Sequence, residues 1–518
     1  MAAGPASLVD LLRESARRFP ERPAILQRGA AVSYGELWRG VCRAANALRV
    51  GGLAPGERVA LLIENSPEYV MAYYAVLQAG GVAVGLNTAM RGAELVRNVA
   101  HCAANALIAM PGHPELPALM AARGTLRQVV TTPATAVSAA AAGRAVPAGA
   151  IAWHDWLAAV DEADVSAAVD SCAPASIIYT SGTTGDPRGV TLTHRNLVAN
   201  TQSILAYLGL RETDRIVNVL PFYYSYGNSV LHTHLAAGAS LLLENSLTYP
   251  HLVVQSMANE RATGFSGVPA TFALLLQRVP LADHDLSSLR YLTQAGGAMA
   301  PALTRRLRAA LPAARLFVMY GQTEATARIS YLPPERLDDK LGTVGIGIPG
   351  VAIEVQDAQG RRVAAGVEGE VCVRGDNVML GYWENPAATA KVLRDGWLRT
   401  GDLGRLDEEG FLTLVGRSSD MIKTGAHRVS PLEIEEIVLE LAGVAECAAV
   451  GVADPILGEV VRVCVVAAEG AGLEPRTVQA HCRNRLAVYK VPKEVVFVAT
   501  LPKTASGKVR RFMLKEAR

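Results

Sequence analysis

The segment that most constrains this chain is a glycine- and hydroxyl-rich bend at residues 179–189, with the sequence YTSGTTGDPRG. It follows an apolar run, Ile177–Tyr179, that indicates the end of a strand, and a helix is expected to start near Arg195. Three glycines allow positive φ angles and a close approach of the backbone to a ligand. Hydroxyls and N–H groups then point into one bend beside a cation, Arg188, and such a bend is suited to hold a polyphosphate.

Two other nucleotide-binding patterns are excluded. The loop G-x-x-x-x-G-K-[ST] cannot be fitted onto the glycines of the bend, so the remaining alternative for this segment is a polar turn between a strand and a helix. Residues 345–350 match G-x-G-x-x-G, but an alternating strand follows them, and Pro349 stands where a helix should begin. The dinucleotide-binding interpretation of that second motif therefore fails.

Composition limits the class of protein. A chain of 518 residues exceeds one ordinary domain, and its balance of 50% hydrophobic and 19% charged residues is typical of globular proteins. The formal net charge of +2 implies neither nucleic acid nor an anionic membrane as a partner. No signal-peptide pattern or membrane-length apolar run is evident, and the seven cysteines form no C-x-x-C pair. A reduced, cytoplasmic protein is therefore expected.

The order of secondary-structure signals changes along the chain. Strand and helix patterns alternate to about residue 330, which is typical of an α/β architecture with a largely parallel sheet. After residue 341, short alternating strands such as Val351–Val355 and Glu370–Arg374 predict a small β-barrel-like unit. Nearer the C-terminus, a helix from Pro431 and two later strands indicate a separate α+β unit.

The predicted fold is therefore α/β, with a large N-terminal domain of layered α/β sheets plus the small β-barrel-like unit over residues 1–417. Residues 418–518 are predicted to form a small α+β C-terminal domain. Residues 133–150 are rich in Ala, Pro and Gly, and we expect them to form a surface excursion before the bend.

Further residues with chemical potential follow the bend in a fixed order. They are the segment YGQTE at 320–324, the segment TGD ending at Asp402, the pair Gly416–Arg417, and Lys508 in the sequence PKTASGK. Taken singly, each has an ordinary explanation as a loop acid, a turn residue, a surface cation or a tail lysine. Their combination with the bend is far more specific than any one of them.

With these motifs in this order, the chain resembles the adenylate-forming superfamily: AMP-forming acyl-CoA synthetases, adenylation domains of peptide synthetases, and firefly-type luciferases. The resemblance runs from about residue 10 to about residue 512. It implies a two-step reaction. A carboxylate first attacks the α-phosphorus of ATP to give an acyl-adenylate and pyrophosphate, and a thiol then displaces AMP.

The resemblance also implies three catalytic residues. Lys508 would bridge the attacking carboxylate and the phosphate, Thr323 would contact the α-phosphate, and Glu324 would ligate Mg²⁺, a cation that takes oxygen ligands. Asp402 would accept both ribose hydroxyls. The ATP site implied in full is Thr180, Ser181, Gly182, Thr183, Thr184, Gly185, Arg188, Gly296, Gly297, Ala298, Tyr320, Gly321, Gln322, Thr323, Asp402 and Arg417.

The second step implies a mobile C-terminal domain. Lys508 must leave before a thiol reaches the acyl group, so the resemblance implies rotation about a hinge at Ser419. Lys423 and Gly425 would then face the thiol of CoA. Two positions depart from the family: Arg188 stands where Lys is frequent, and Ser419 stands where many members carry Asp or Lys.

The acid pocket is expected around the segment PFYYSYGNS at 221–229. Tyr224 stands where many acyl-CoA synthetases place His, and no acidic residue occurs between Leu220 and Ala239. An α-ammonium would lack a counter-charge there, which disfavours an α-amino acid, although an acid from another element could serve. The pocket residues implied are Tyr223, Tyr224, Tyr226, Asn228, Gly267 and Met319. Ordinary packing, with hydroxyls at the rim, is the alternative explanation for the tyrosines.

The sequence therefore predicts an AMP-forming carboxylic acid–CoA ligase that uses ATP, Mg²⁺ and CoA on a fatty or other non-α-amino acid. An alternative acceptor is the phosphopantetheine of a carrier protein. Luciferase-type oxidation would need a specialised pocket that nothing indicates. A non-catalytic adenylate sensor would be expected to lose Lys508 or Glu324, and both are present.

The substitution Lys508→Ala should abolish acyl-adenylate formation and leave thiolation of a supplied acyl-adenylate largely intact, because the lysine is needed only while two anions react. Pyrophosphate release and thioester formation, measured as separate half-reactions, check this. An equal loss in both half-reactions would contradict alternation of the C-terminal domain.

Overall fold

The protein is described here by a computed structural model that covers residues 4–122, 124–133, 146–165, 169–180, 187–425, 427–503 and 509–515. Of the predicted site, Lys508 and the bend residues Ser181–Gly185 lie outside the described residues, as does most of the 133–150 segment.

Helices are distributed along the whole described chain. They are α1 (Leu8–Arg18), α2 (Tyr34–Val50), α3 (Pro67–Gln78), α4 (Gly92–His101), α5 (Leu116–Ala122), α6 (Trp153–Ala158), α7 (His194–Leu208), α8 (Ser225–Ala237), α9 (Pro250–Asn259), α10 (Pro269–Arg278), α11 (Pro301–Ala310), α12 (Pro386–Val392), α13 (Pro431–Leu439), α14 (Pro475–Arg483) and α15 (Arg511–Leu514). Local sequence explains several starts, because Ser7, Ser33 and Thr193 each form a capping box that satisfies the first free N–H groups.

Strands alternate with these helices in the first two thirds of the chain and dominate afterwards. They are β1 (Pro23–Gln27), β2 (Ala30–Ser33), β3 (Arg58–Leu62), β4 (Val82–Gly85), β5 (Ala106–Ala109), β6 (Gln128–Thr131), β7 (Ile151–Ala152), β8 (Pro174–Thr180), β9 (Arg188–Thr193), β10 (Arg215–Asn218), β11 (Ser240–Leu243), β12 (Gly264–Gly267), β13 (Tyr291–Gln294), β14 (Arg315–Tyr320), β15 (Ser330–Leu332), β16 (Ile346–Gly347), β17 (Val351–Gln356), β18 (Gly369–Gly375), β19 (Gly381–Tyr382), β20 (Leu393–Arg394), β21 (Trp397–Leu406), β22 (Leu412–Arg417), β23 (Ile422–Thr424), β24 (His427–Val429), β25 (Val444–Asp454), β26 (Gly458–Ala467) and β27 (Glu494–Phe497).

Two large sheets form the N-terminal part of the protein. One has nine strands in the order β16-β15-β14-β13-β12-β10-β11-β1-β2, and the other has eight in the order β19-β9-β8-β4-β3-β5-β6-β7. The inner pairings are parallel, and antiparallel strands lie at the edges. Parallel strands covered by helices on both faces are buried throughout, as β5 is. The predicted α/β architecture with largely parallel sheets is confirmed.

Two smaller sheets follow. Strands β17, β18, β20, β21 and β22 form a five-stranded antiparallel sheet, which is the small β unit that the sequence predicted. Strands β23 to β27 form the last sheet, whose core contains Ile434 and Val438 of α13 together with Val463 and Val478. This last unit is α+β, as expected, while the division of the chain at residues 417 and 418 stays a prediction.

The bend at residues 181–186 connects two antiparallel strands rather than a strand and a helix. Thr180 at the end of β8 pairs with Arg188 at the start of β9, and helix α7 begins only at His194. The sequence did not identify β9, although its residues Val190 to Thr193 are buried and rich in branched side chains. In the described residues, no helix is long and apolar enough to cross a membrane.

Four of the described histidines are buried, and three of them have strongly lowered pKa values. Burial lowers the pKa of His194 to about 4, that of His232 to about 3 and that of His234 to about 4. His232 is held between the Tyr74 hydroxyl at 3.0 Å and Asn228 Oδ1 at 2.9 Å. All three are therefore uncharged at neutral pH in the folded protein, and each regains its ordinary affinity for a proton on unfolding.

Acidification should consequently destabilise the fold in the window from about pH 6.5 to about pH 4, since the unfolded chain binds these protons first. The loss approaches about 1.4 kcal/mol per pH unit for each histidine. Melting temperatures measured across this window check the expectation. The melting temperature of His232→Gln should fall less steeply with falling pH than that of the wild type, and that of the exposed control His251→Gln should fall as steeply as in the wild type. A melting temperature that does not change across this window would contradict the expectation.

Candidate active site

Three segments that are distant in sequence meet beside the β8–β9 hairpin. The Trp383 N–H donates to the Gly189 carbonyl at 2.7 Å, and Tyr382 of β19 pairs with Val190 of β9. The Met379 N–H donates to the Glu324 carbonyl at 2.9 Å. The hairpin that carries the predicted phosphate bend is thereby attached to the turn that carries Glu324.

Asp402 is the centre of the predicted ribose site. The carboxylate is 7% exposed and accepts a hydrogen bond from the Tyr320 hydroxyl at 2.6 Å on one oxygen. Arg417, its partner in the β21–β22 register, places Nε 3.1 Å from the other oxygen. The charge of Asp402 raises the pKa of Arg417, and burial followed by the same charge raises that of Tyr320. Each carboxylate oxygen keeps a lone pair that could accept a hydroxyl.

Glu324 lies in a 3-10 turn over Thr323–Ala325 and accepts a hydrogen bond from the Tyr382 hydroxyl at 2.9 Å. Burial, and then the negative charge of Glu324, raises the pKa of Tyr382, while the positive charges of Arg188 and Arg417 oppose this rise. The Glu324 carboxylate and the guanidinium groups of Arg188 and Arg417 therefore all influence the Tyr382 hydroxyl. One acid and two guanidinium groups thus lie within electrostatic range of Tyr382.

The turn after β14 can be built only with glycine at position 321. A Cβ atom there would come within 2.0 Å of the Ala327 carbonyl oxygen. The chain reverses through Thr326 and Ala327, both with positive φ, of 52° and 81°. Gly321 therefore allows the tight reversal that presents Thr323 and Glu324 on one side.

Thr323 contacts the predicted acid-pocket segment directly. Its Oγ1 lies 3.1 Å from the Oγ of Ser225, the first residue of α8. Ser225 is the residue between the predicted pocket walls Tyr224 and Tyr226. The contact joins the residue predicted to bind the α-phosphate to the segment predicted to bind the acid.

The predicted adenine segment forms an exposed turn after β13. Gly296 has φ of +85°, and Gly297 and Ala298 are exposed. The side chain of Gln294 donates from Nε2 to the Gly297 carbonyl at 2.8 Å, while its buried Oε1 has no partner in the part of the chain that the structure describes. Gln294 thus holds the backbone of this turn in place.

The predicted pocket residues cluster around the start of α8. The rings of Tyr223 and Tyr224 lie 4.7 Å apart, and Asn87 Nδ2 donates to the Tyr224 hydroxyl at 3.3 Å. Tyr226 is buried and donates to the Thr293 carbonyl at 2.9 Å. Two of these tyrosines therefore direct their hydroxyls to partners inside the protein.

The other three predicted pocket residues are also buried. Met319 Sδ accepts a hydrogen bond from the Tyr207 hydroxyl at 3.0 Å, and Asn228 contacts His232. Gly267 packs so closely on Thr271 that an added Cβ would come 2.9 Å from its Cγ2. The assignment of these residues to the acid pocket stays a prediction.

Acidic side chains from other elements also approach this cluster. The charge of Glu64 acts with burial to raise the pKa of Tyr223, and Glu94 contributes in the same way at Tyr224 after burial and Tyr223. The absence of acids between residues 220 and 239 therefore does not extend to the whole neighbourhood of the pocket.

The C-terminal domain reaches the same cluster through Arg510. Its guanidinium opposes the rise in the pKa of Tyr224 that burial causes, so the two groups lie within electrostatic range. Arg510 is held by its N–H, which donates to the Pro502 carbonyl at 2.8 Å, and Lys503 pairs with Val509. The described residues on either side of position 508 thus lie on the side of the protein that carries the tyrosines of the predicted acid pocket.

The residues predicted for the thiol step and the hinge make local contacts. The Lys423 N–H donates to Glu459 at 2.8 Å, and Gly425, with φ of +57°, donates to the Leu457 carbonyl at 2.8 Å. The Ser419 hydroxyl donates to Asp420 at 3.0 Å. Their proposed roles depend on a second domain arrangement and stay predictions.

Sequence reasoning missed four residues of this site: Tyr382, Ser225, Asn87 and Arg328. None belongs to a motif, and Tyr382 and Ser225 reach their partners across 58 and 98 residues. The one sequence signal for Ser225 was its place inside the predicted pocket segment. For Arg328, the signal was a charged residue in a run that is otherwise apolar or small.

Known proteins are similar to this chain over nearly its whole length. Models of the AMP-binding enzyme family and of the AMP-binding enzyme C-terminal domain match residues 12–383 and 433–508. A feruloyl-CoA synthase of Amycolatopsis sp is 37% identical over 499 residues, which are 95% of this chain and 95% of that protein.

Two solved structures are similar over nearly their whole length. The anthranilate CoA ligase AuaEII in complex with anthranoyl-AMP superposes with a TM-score of 0.91 at 26% identity, covering 99% of this chain and 97% of that one. ATP-bound MatB from Rhodopseudomonas palustris gives a TM-score of 0.89 at 31% identity, covering 99% and 98%.

Removal of the Tyr382 hydroxyl should slow the adenylation half-reaction by about 10-fold, because a hydrogen bond to a charged group contributes about 1.5–3 kcal/mol. The variant Tyr382→Phe would be compared with Tyr249→Phe, in which the exposed Tyr249 loses the same atom far from any predicted role. Pyrophosphate release measures the first step and thiolation of a supplied adenylate the second. Unchanged pyrophosphate release would show that Tyr382 does not orient Glu324.

Proposed function

The chain belongs to the AMP-binding enzyme family of the adenylate-forming superfamily, and from this premise we propose that it is an AMP-forming carboxylic acid–CoA ligase. It activates an acid with ATP to an acyl-adenylate and transfers the acyl group to CoA. One observation carries this proposal. A continuous set of contacts joins Asp402, the turn that contains Glu324 and the predicted acid pocket.

The first step must bring a carboxylate to a triphosphate, and the main barrier is negative charge. Asp402 orients the nucleotide through its ribose, with Tyr320 and Arg417 fixing the carboxylate. Arg188 supplies a positive charge beside the phosphate bend. Lys508 is proposed to align the attacking carboxylate, and Thr323 to bind the α-phosphate from a position held by Ser225.

Mg²⁺ fits the residues present. Glu324 directs one oxygen to Tyr382, so its other oxygen can take a metal, and no cluster of three or more acid, histidine or cysteine ligands occurs in the described residues. Such a site suits Mg²⁺, which is bound by one or two carboxylates together with substrate phosphates and water. The ion would neutralise charge on the leaving pyrophosphate, and Glu324 would hold it.

The acid is proposed to be a carboxylic acid without an α-amino group. The feruloyl-CoA synthase and the anthranilate CoA ligase are named for acids that carry no α-ammonium. Fatty acids belong to the same class and stay within the proposal. The buried tyrosines, Met319 and Gly267 would form an apolar wall against the acyl group.

The thiol step is proposed to use CoA after rotation of the C-terminal domain about Ser419, which presents Lys423 and Gly425 to the adenylate. The CoA ligases similar to this chain favour CoA over a carrier protein as the acceptor. A cytoplasmic location is part of the proposal, supported by seven cysteines that are all free.

A screen for pyrophosphate release over fatty, aromatic, hydroxy and amino acids tests the proposal, with AMP and acyl-CoA as the other products. We expect release with at least one non-α-amino acid, and thiolation of CoA in preference to a purified carrier protein. The variant Glu324→Gln, which keeps the shape of the side chain, is the matched inactive control. A folded sample that consumes no ATP with any acid, or that forms ADP, would refute the proposal.

A further inference from the structure

Arg328 is a buried cation with no anionic partner among the residues that the structure describes. Arg328 is 3% exposed, and the structure shows no ion pair between its guanidinium and any described carboxylate. Nη1 donates to the neighbouring Ala327 carbonyl at 3.3 Å, and Nε is buried without a hydrogen-bond partner in the described part of the chain. The Nε donor is thus unsatisfied among the described residues, and the guanidinium also donates a hydrogen bond to the Tyr207 hydroxyl.

The side chain is directed to its place by a rigid backbone. The Arg328 carbonyl accepts hydrogen bonds from Asn377 at 2.8 Å and from Asn200 at 3.3 Å. With its backbone fixed on one side, the guanidinium carbon lies 4.2 Å from the centre of the Tyr226 ring. Arg328 therefore lies against a predicted wall of the acid pocket.

The groups around the guanidinium are neutral. Burial raises the pKa of Tyr207 to about 12 even though the Arg328 charge opposes it, so this phenol stays protonated. The Tyr207 hydroxyl donates to Met319 Sδ, and the Tyr226 hydroxyl donates to Thr293. Tyr207 offers the cation a hydroxyl acceptor and Tyr226 a ring face, but neither carries a negative charge.

An unpaired buried charge is costly, and arginine cannot reduce the cost by losing its proton. A cation over an aromatic ring offsets only part of the penalty for burying the charge. A carboxylate supplied by a ligand would satisfy two donors at once in bidentate geometry. The missing partner is therefore best provided by the substrate.

We propose that the acid substrate carries a second carboxylate and that Arg328 recognises it. This inference rests on the proposed function, because it assumes that an acid enters the pocket lined by Tyr226. It narrows the substrate class to dicarboxylic acids, in which one carboxylate reacts with ATP and Arg328 binds the other.

The reacting carboxylate has a different position. It must lie beside Thr323, which contacts Ser225, whereas Arg328 lies over Tyr226. Consecutive residues of an α-helix point about 100° apart, so Ser225 and Tyr226 face different sides of the first turn of α8. The two ends of one acid could therefore occupy the two sides.

The test compares matched pairs of aliphatic and aromatic acids that differ only in a second carboxylate. For the wild-type enzyme we expect kcat/KM for pyrophosphate release to be at least about 10-fold higher with the diacid. In Arg328→Met, which keeps the apolar stem, the diacid should lose about 10- to 100-fold, as for a lost charged hydrogen bond. The matched monoacid should be unchanged or improved.

Two further variants control the experiment. Arg328→Lys should retain part of the preference, because the charge remains but the bidentate geometry does not. Arg195→Met removes an exposed arginine that pairs with Asp376 on the surface, and it should leave both kcat/KM values as in the wild type.

The outcomes separate the two proposals. Release with neither kind of acid would refute the proposed function and the inference with it. A wild-type preference for monoacids would overturn the inference alone, whether or not Arg328→Met folds. An equal loss of all acids in a folded Arg328→Met would also overturn it, since it would assign Arg328 to the reacting carboxylate or to the core.

Discussion

One carboxylate connects the parts of this protein that have to cooperate. Asp402 lies on the small antiparallel sheet, its hydroxyl donor Tyr320 ends a strand of the nine-stranded sheet, and Arg417 ends the last strand before the C-terminal domain. A nucleotide bound through Asp402 therefore contacts a group that is fixed to both sheets. The chain continues from Arg417 directly into the predicted hinge at Ser419, so the same contact lies next to the predicted junction with the C-terminal domain.

The sequence predicted those parts of the fold that depend on short-range chemistry. The helix predicted from Pro431 does begin there, because proline suits the first helical position and the Ser430 side chain accepts a hydrogen bond from the Glu433 N–H. The alternation of strands and helices, the change to an antiparallel sheet and the final α+β unit were predicted for the same reason. Asp402 and Arg417 were singled out because each belongs to a motif, and their roles in binding ribose stay predictions.

What the sequence did not predict depends on contacts between distant residues. Tyr382 reaches Glu324 and Tyr320 reaches Asp402 across 58 and 82 residues, and no periodicity encodes such pairs. Strand β9 was missed because its partner strand, not its own pattern, distinguishes it from the start of a helix. Arg328 could be noticed in the sequence, but only burial distinguishes it from an ordinary surface arginine.

The pairing of β19 with β9 has a consequence for the order in which the protein assembles. The hairpin obtains its outer neighbour from Gly381 and Tyr382, about 190 residues further along the chain, and these two residues form its only pairing on that side in the described structure. During synthesis, β9 is therefore an open sheet edge until the ribosome has released that later segment. Closing so long a loop is slow, and an open edge can pair with other nascent chains. Pairing of β19 with β9 therefore closes this open edge only late in the synthesis of the chain.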